Sequence, residues 1–174
     1  EGGCGRSSGA HHAQSLEAWF MHVPGLKVVM PATPFDAKGL LKSAVREDNP
    51  IIFIEHKMLY NTKGLVPDDE YLIPIGVADV KKSGTDVTVI AYSRMLLVAM
   101  EAAEILEKEG IHIEVIDPRT LLPLDIDTIV TSVKKTGKVV IVSEACKTGG
   151  PGGEIGMQIM ENAFDYLDAP MVRL

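Results

Sequence analysis

Apolar residues along this chain recur with two periods, and the alternation between the two predicts its elements. The opening run Gly2-Gly3-Cys4-Gly5-Arg6-Ser7-Ser8-Gly9-Ala10 has neither period and reads as a loop. From Ser15 the pattern turns helical. Leu16, Trp19 and Phe20 fall at i, i+3 and i+4 on one predicted apolar face, and Gly25 after Pro24 stops the run. Residues 26–30 read as a short buried strand. Thr33 as N-cap, Pro34 at the first position and Asp36 in the first turn then open a helix. Its predicted inner face is Ala37, Leu41, Ala44 and Val45, and Asn49-Pro50 ends it. Residues 50–55 form a second apolar run, so strand, helix and strand predict a parallel βαβ unit with a right-handed crossover.

Between residues 58 and 74 the periodicity fails, and the polar groups Asn61-Thr62-Lys63-Gly64 and Pro67-Asp68-Asp69-Glu70 read as a linker at a domain boundary. Two strands cannot hold a sheet alone, so only part of a domain precedes it. The second half is more regular. A strand at 86–91 leads to a helix with the face Leu96, Ala99, Met100, Ala103 and Leu106, closed by Gly110. After a strand at 111–116, Asp125 caps a helix with Ile126, Ile129, Val130 and Val133 inward, and Gly137 stops it. A strand at 138–142, a helix with Ile155, Ile159 and Ala163, and a last strand opened by Met171 complete the pattern. Alternating strands and helices predict an α/β fold with an open, mostly parallel sheet covered on both faces, whose ligands sit at the carboxyl ends of the strands.

Composition narrows the function. The net charge of −7, without a basic stripe, argues against a nucleic-acid partner. No apolar run approaches a membrane span, and no signal peptide opens the chain. Two cysteines, Cys4 and Cys146, are too few for a disulfide framework, which points to a reducing cytoplasm. The chain opens in a loop and stops on an apparent strand, Met171-Val172-Arg173-Leu174, as a fragment would.

The richest candidate chemistry is His11-His12-Ala13-Gln14, delivered by the glycine loop to the start of a helix whose free N–H groups suit an anionic substrate. Metal binding there is the weaker option: the two histidines are adjacent rather than a turn apart, and no Cys-x-x-Cys accompanies them. The run Thr148-Gly149-Gly150-Pro151-Gly152-Gly153-Glu154 lacks the phosphate-loop spacing and reads as a tight strand-to-helix turn. Tyr92-Ser93-Arg94-Met95 has no glycine, which counts against a dinucleotide. Glu144 lies at a strand's carboxyl end with no partner legible, Cys146 reads as inert, and Glu101, Glu104, Lys108 and Glu109 form a solvated helix face.

Five stretches carry a resemblance. His12 to Phe20, then His22-Val23-Pro24-Gly25-Leu26-Lys27-Val28-Val29, and Ile116-Asp117-Pro118-Arg119-Thr120-Leu121-Leu122-Pro123-Leu124-Asp125 resemble the β subunits of thiamine-diphosphate-dependent 2-oxo acid dehydrogenases. Asp36-Ala37-Lys38-Gly39-Leu40-Leu41 and Asp168-Ala169-Pro170 belong to the same likeness, which follows the whole chain in order and is nearest to acetoin dehydrogenase β subunits. The resemblance implies a partial pyrimidine-binding domain of transketolase type at 1–62, a linker at 63–75 and a truncated transketolase C-terminal-like domain at 76–174. It further implies an enzyme component in an α2β2 assembly, with thiamine diphosphate and magnesium held mainly by the α subunit and by β residues upstream of this segment. A carbon–carbon bond beside a carbonyl breaks, and the acyl group passes to lipoyl-lysine of an acyltransferase core. The family's catalytic histidine falls on His12, as positioner and proton donor in acyl transfer, and some members hold a structural potassium ion at positions matching Ala44, Val45, Glu47 and Asn49. Ala13 stands where the family commonly has serine, and the glutamate that activates the aminopyrimidine falls before residue 1. The rivals are a transketolase-like or deoxyxylulose-phosphate synthase enzyme, and a non-catalytic docking module. An incomplete first sheet would expose apolar edges and favour aggregation.

Overall fold

The computed structural model describes residues 2, 3, 5 and 9–174. Cys4, Arg6, Ser7 and Ser8 of the opening loop lie outside the described residues. Five helices and eight strands follow in chain order among them. The first half carries α1 (Glu17–Met21), β1 (Lys27–Val29), α2 (Pro34–Val45) and β2 (Ile51–Phe53), with β1 and β2 parallel. The second carries β3 (Asp79–Lys82), β4 (Val87–Ala91), α3 (Arg94–Glu107), β5 (Ile113–Asp117), β6 (Thr120–Leu122), α4 (Ile126–Thr136), β7 (Val139–Val142), α5 (Pro151–Ala163) and β8 (Val172–Arg173).

The larger sheet has the order β3-β5-β4-β7-β8, parallel except where β3 runs against β5. Alternation along β4 sends Val89 and Ala91 to one face and Ile90 to the other. The first pair packs with Leu96, Ala99 and Ala103 of α3, and Ile90 packs with Ile129 and Val133 of α4 and Ile155 and Ile159 of α5. Helices therefore cover both faces, as alternating β and α segments require. Thr88 sits buried on the α4 side, and its hydroxyl is bonded to Ser132 (2.6 Å) and Thr136 (2.7 Å), which removes the cost of burying it. The expected caps also form: Thr33 accepts the Asp36 N–H at 3.1 Å, Asp125 accepts that of Thr128 at 3.1 Å, and Gly137 ends α4 at φ 68°.

The first half departs from its expected form in four ways. Its sheet is not two-stranded, because β6 from the second half pairs antiparallel with the free edge of β1, giving the order β2-β1-β6. That edge is covered rather than exposed. The inner face of α2 is not Ala37, Leu41, Ala44 and Val45: Asp36, Gly39 and Leu40 are buried, while Leu41 and Val45 are 48% and 79% exposed. The stripe is displaced because Asp36 is neutralised inside and because Gly39 lets Ile73 and Tyr71 close on the helix, where a Cβ would stand 2.6 Å from Ile73. Trp19 is 69% exposed, and Glu17 rather than an apolar residue is the buried member of α1. Finally, the polar stretch after β2 is packed. Ile73 is buried against Val29 and Leu40, Tyr71 stacks on Phe35 at 4.6 Å, and Lys38 reaches the carbonyl of Asp69 at 3.2 Å.

Charge fastens the halves together. Arg119 lies between β5 and β6 at φ 58°, and its Nε donates to Asp36 at 2.8 Å and its terminal nitrogen to Asp79 at 2.8 Å. Lys81 of β3 binds the same two carboxylates, at 2.7 Å each. Burial pushes Asp36 up, but the bonds from Lys81 and Thr33 and the charges of Lys81 and Arg119 outweigh it and hold the carboxyl below its usual value. At the neighbouring Asp117, burial outweighs the charges of Lys81 and Arg119. Burial pushes that carboxyl up to about 7, one oxygen accepts the Arg119 N–H, and the other has no partner among the described residues.

Candidate active site

The loop at residues 9–16 is shaped by its own backbone. The His12 N–H donates to the Gly9 carbonyl at 3.2 Å, and the Gly3 N–H to the Gln14 carbonyl at 3.2 Å. Gln14 bonds to the Ala10 carbonyl at 2.7 Å, so its amide staples the loop rather than joining the histidines as a cluster. Both imidazoles are exposed and lie against each other, with centroids 4.2 Å apart. The carbonyl of His12 accepts a bond from Lys57 Nζ at 3.0 Å. Alpha-1 has only five residues and begins with a buried carboxylate, Glu17, so the expected anion site at its start does not form.

Beneath the loop lies a polar cluster that the sequence did not reveal as one. His56 follows β2, is buried, and caps the turn at Lys57–Leu59 by accepting the Met58 N–H on Nδ1 at 3.1 Å. The ring proton therefore stands on Nε2, which donates to Glu144 Oε2 at 2.6 Å. Glu144 is thus partnered across 88 positions of sequence, and the only advance signal for His56 was its place at the carboxyl end of a strand. Gly3 makes the packing possible: at φ 89°, a Cβ there would overlap the His56 ring. Beside this pair, Tyr92 donates to buried Glu17 at 3.1 Å and meets Ser143 at 2.7 Å. Burial raises the pKa of Glu17, against bonds that lower it, and the Glu144 charge raises it further. Burial and the Glu17 charge raise Tyr92 as well, which keeps the phenol a donor.

Ser93 turns β4 into α3 at φ 52°, with its hydroxyl buried and unpartnered among the described residues. It resembles a nucleophile only in backbone, since both nitrogens of the neighbouring His56 are engaged elsewhere.

Two clefts open beside the loop. One of about 550 Å³ is lined by Ala13 to Leu16 and by Glu144, Cys146 and Thr148. The other, of about 720 Å³, runs from Trp19 and His22 past Leu121 and Leu122 to the glycine turn and Gln158. No lysine or arginine lines either, so these residues do not form a seat for a diphosphate. The glycine turn is structural: Gly150 caps α5, Pro151 fills its first position, and a Cβ on Gly150 would strike the Cys146 carbonyl. Cys146 is exposed and unpaired.

The residues matched to a potassium site stand at the end of α2, with Ala44 and Val45 in its last turn and Glu47 and Asn49 just beyond. Glu47 is already engaged by Lys27 at 2.7 Å and by the Asn49 amide at 2.7 Å, and the Lys27 bond first of all lowers its pKa to about 2. No group of three or more acidic, histidine or cysteine residues suited to a metal occurs among the described residues. No helix among them is long and apolar enough to cross a membrane.

Residues 76–174 match the transketolase C-terminal domain, and residues 2–63 match the transketolase pyrimidine binding domain. The chain belongs to the transketolase family. Among its relatives, the pyruvate dehydrogenase E1 component subunit beta of Porphyra purpurea is 53% identical over 173 residues, covering 99% of this chain and 52% of that protein. The 2-oxoisovalerate dehydrogenase subunit beta of Bacillus subtilis (strain 168) is 50% identical over 173 residues, with 99% and 53% covered. A solved split gene transketolase, an inactive β4 tetramer, superposes with a TM-score of 0.81 at 30% identity, covering 94% of this chain and 52% of its own. The chain therefore spans about half the length of the curated relatives it matches. Its kinship with dehydrogenase β subunits and its transketolase-like fold agree with the resemblance read from the sequence.

Proposed function

We propose that this chain is the β subunit, or a piece of it, of a thiamine-diphosphate-dependent 2-oxo acid or acetoin dehydrogenase, with His12 as its acid in acyl transfer. The observation that carries the reading is an exposed imidazole fixed by its own backbone beside an open cleft, within a chain about half identical to such β subunits throughout its length. The diphosphate and magnesium fall to an α partner in an α2β2 assembly and to the rest of the subunit, which fits clefts that offer no cation. Bound there, the cofactor would supply the nucleophilic carbanion needed to break a carbon–carbon bond next to a carbonyl.

His12 does the proton work on this chain. When the acyl fragment reaches the lipoyl disulfide of the acyltransferase core, it carries the electron pair of the broken carbon–carbon bond. That pair forms the bond to one sulfur, which keeps the fragment as a thioester, and the other sulfur leaves with the pair of the broken S–S bond. A protonated imidazole nitrogen at His12 gives that sulfur its proton, and water restores the ring. Ala13 offers no hydroxyl to this step. Potassium remains in the reading only through the carbonyls at the end of α2 and Asn49, because Lys27 already neutralises Glu47. A melting temperature of the assembly that falls when sodium replaces potassium supports the ion, and an unchanged one removes it. The exposed free thiol of Cys146 fits a reducing cytoplasm.

The test uses the full-length subunit co-expressed with its α partner. Dye reduction with thiamine diphosphate and magnesium is measured against pyruvate, branched-chain 2-oxo acids and acetoin, and acyl transfer to a lipoyl domain is measured separately. Activity on one substrate that requires the α chain and is lost at the transfer step in His12→Ala supports the reading. Ketol transfer between sugar phosphates, or an intact assembly inert on every substrate, overturns it in favour of a synthase or a docking module.

A further inference from the structure

The bond from Lys57 to His12 has a consequence for the chemistry of the loop. Lys57 is buried, an uncommon state for an ammonium group, and its Nζ donates to a backbone carbonyl at 3.0 Å. That carbonyl belongs to the one residue to which the reading above assigns proton transfer. The His12 peptide is thereby held on both sides, by Gly9 through its N–H and by Lys57 through its C=O. Lys57 in turn cannot wander, because His56 caps the turn that carries it and is itself tied to Glu144 at 2.6 Å. Glu144 follows β7 in the second half, so the line of contacts runs from the larger sheet through His56 and Lys57 to the loop.

We infer that Lys57 is a positioning residue for His12, and that Glu144 acts on the same loop through His56. The inference rests on the reading of His12 as the acid. An exposed loop with no apolar anchor would let its imidazole sample many places, and a displacement of about 1 Å is enough to slow a transfer step by a large factor. A charge-assisted bond to the main chain of residue 12 fixes the imidazole's origin while leaving its ring free to meet a substrate.

The test takes the full-length subunit in its assembly and compares Lys57→Met, Lys57→Arg and Glu144→Ala, each with His12 and with His12→Ala. Two quantities are read: the rate of acyl transfer to a lipoyl domain, and amide hydrogen exchange over residues 9–14. Lys57→Met lowers kcat for transfer about tenfold at unchanged KM and speeds exchange in the loop. Lys57→Arg restores part of both, and Glu144→Ala gives a smaller change in the same direction. In the His12→Ala background none of the three substitutions slows transfer further, since the group being positioned is gone. Equal losses with and without His12, or unchanged exchange in the loop, overturn the inference. Should Lys57→Met fail to assemble, Glu144→Ala decides by the same two readings. If His12→Ala alone leaves transfer intact, the reading of the acid fails while the exchange data still judge the clamp.

Discussion

Two polar junctions join the halves of this chain, and they are made differently. At one, Arg119 and Lys81 bind Asp36 and Asp79 in a cluster whose charges cancel, closed over by α2, β3 and the turn between β5 and β6. At the other, His56 meets Glu144 and Tyr92 meets Glu17, beneath a loop whose histidines face solvent. A buried charge is tolerable only when its partners are complete, so the first junction is rigid and any loss there leaves an uncompensated ion. The second is a set of hydrogen bonds among His56, Glu144, Tyr92 and Glu17, of which Glu144 lines one of the clefts, and it shapes a loop without enclosing it. One junction sets whether the halves stay together, and the other underlies the loop from which an exposed imidazole projects.

Substitutions can separate the two. The largest effect is expected at Arg119→Ala, which strands Asp36 in the interior and costs about 3–5 kcal/mol. In thermal unfolding of the full-length subunit, this appears as a melting temperature lower by roughly 10 °C. A change of a degree or two would mean that Lys81 suffices to hold the cluster. His12→Ala should do the reverse, slowing acyl transfer by about 10²- to 10³-fold with the melting temperature unmoved.

Asp117 sharpens the contrast through pH. Its folded pKa, about 7, lies above the 3.8 of an ordinary carboxyl, so the folded state favours the protonated form. The contribution of Asp117 to stability is therefore fully present below that ordinary value and is lost as pH rises through the folded pKa. Urea denaturation of Asp117→Asn and the parent should coincide near pH 4 and separate by roughly 1–3 kcal/mol above pH 7, the variant being the more stable. Curves that stay parallel across this window would show that Asp117 titrates normally. The smallest effect belongs to Thr33→Ala, which removes the cap of α2 and a hydroxyl bond to Asp36, at about 1 kcal/mol in the same denaturation experiment.

The second half was legible because its elements each obey one period. Leu96, Ala99 and Ala103 on α3, Ile129 and Val133 on α4, and Ile155 and Ile159 on α5 face inward as their spacing requires. Beta-3 and β6 were missed, since one is written Asp-Val-Lys-Lys and the other is a short Thr-Leu-Leu between Pro118 and Pro123. In the first half, Asp36 and Gly39 took the inward positions of α2 that an apolar pattern gives to Leu41 and Val45. Periodicity records how apolar a position is, and a neutralised aspartate or a glycine under a close neighbour carries no such mark.

By itself the chain's sequence determined the alternation of strands and helices, the caps at Thr33, Asp125 and Gly137, the family and the candidate His12, because each rests on residues adjacent or a few positions apart. Tertiary structure alone decided the partners drawn from far along the chain. It brought β6 to β1, Arg119 to Asp36, Glu144 to His56 and Lys57 to the carbonyl of His12. Such pairs form when the chain closes on itself, and the desolvation of each polar group, rather than any local preference, selects the residue that satisfies it.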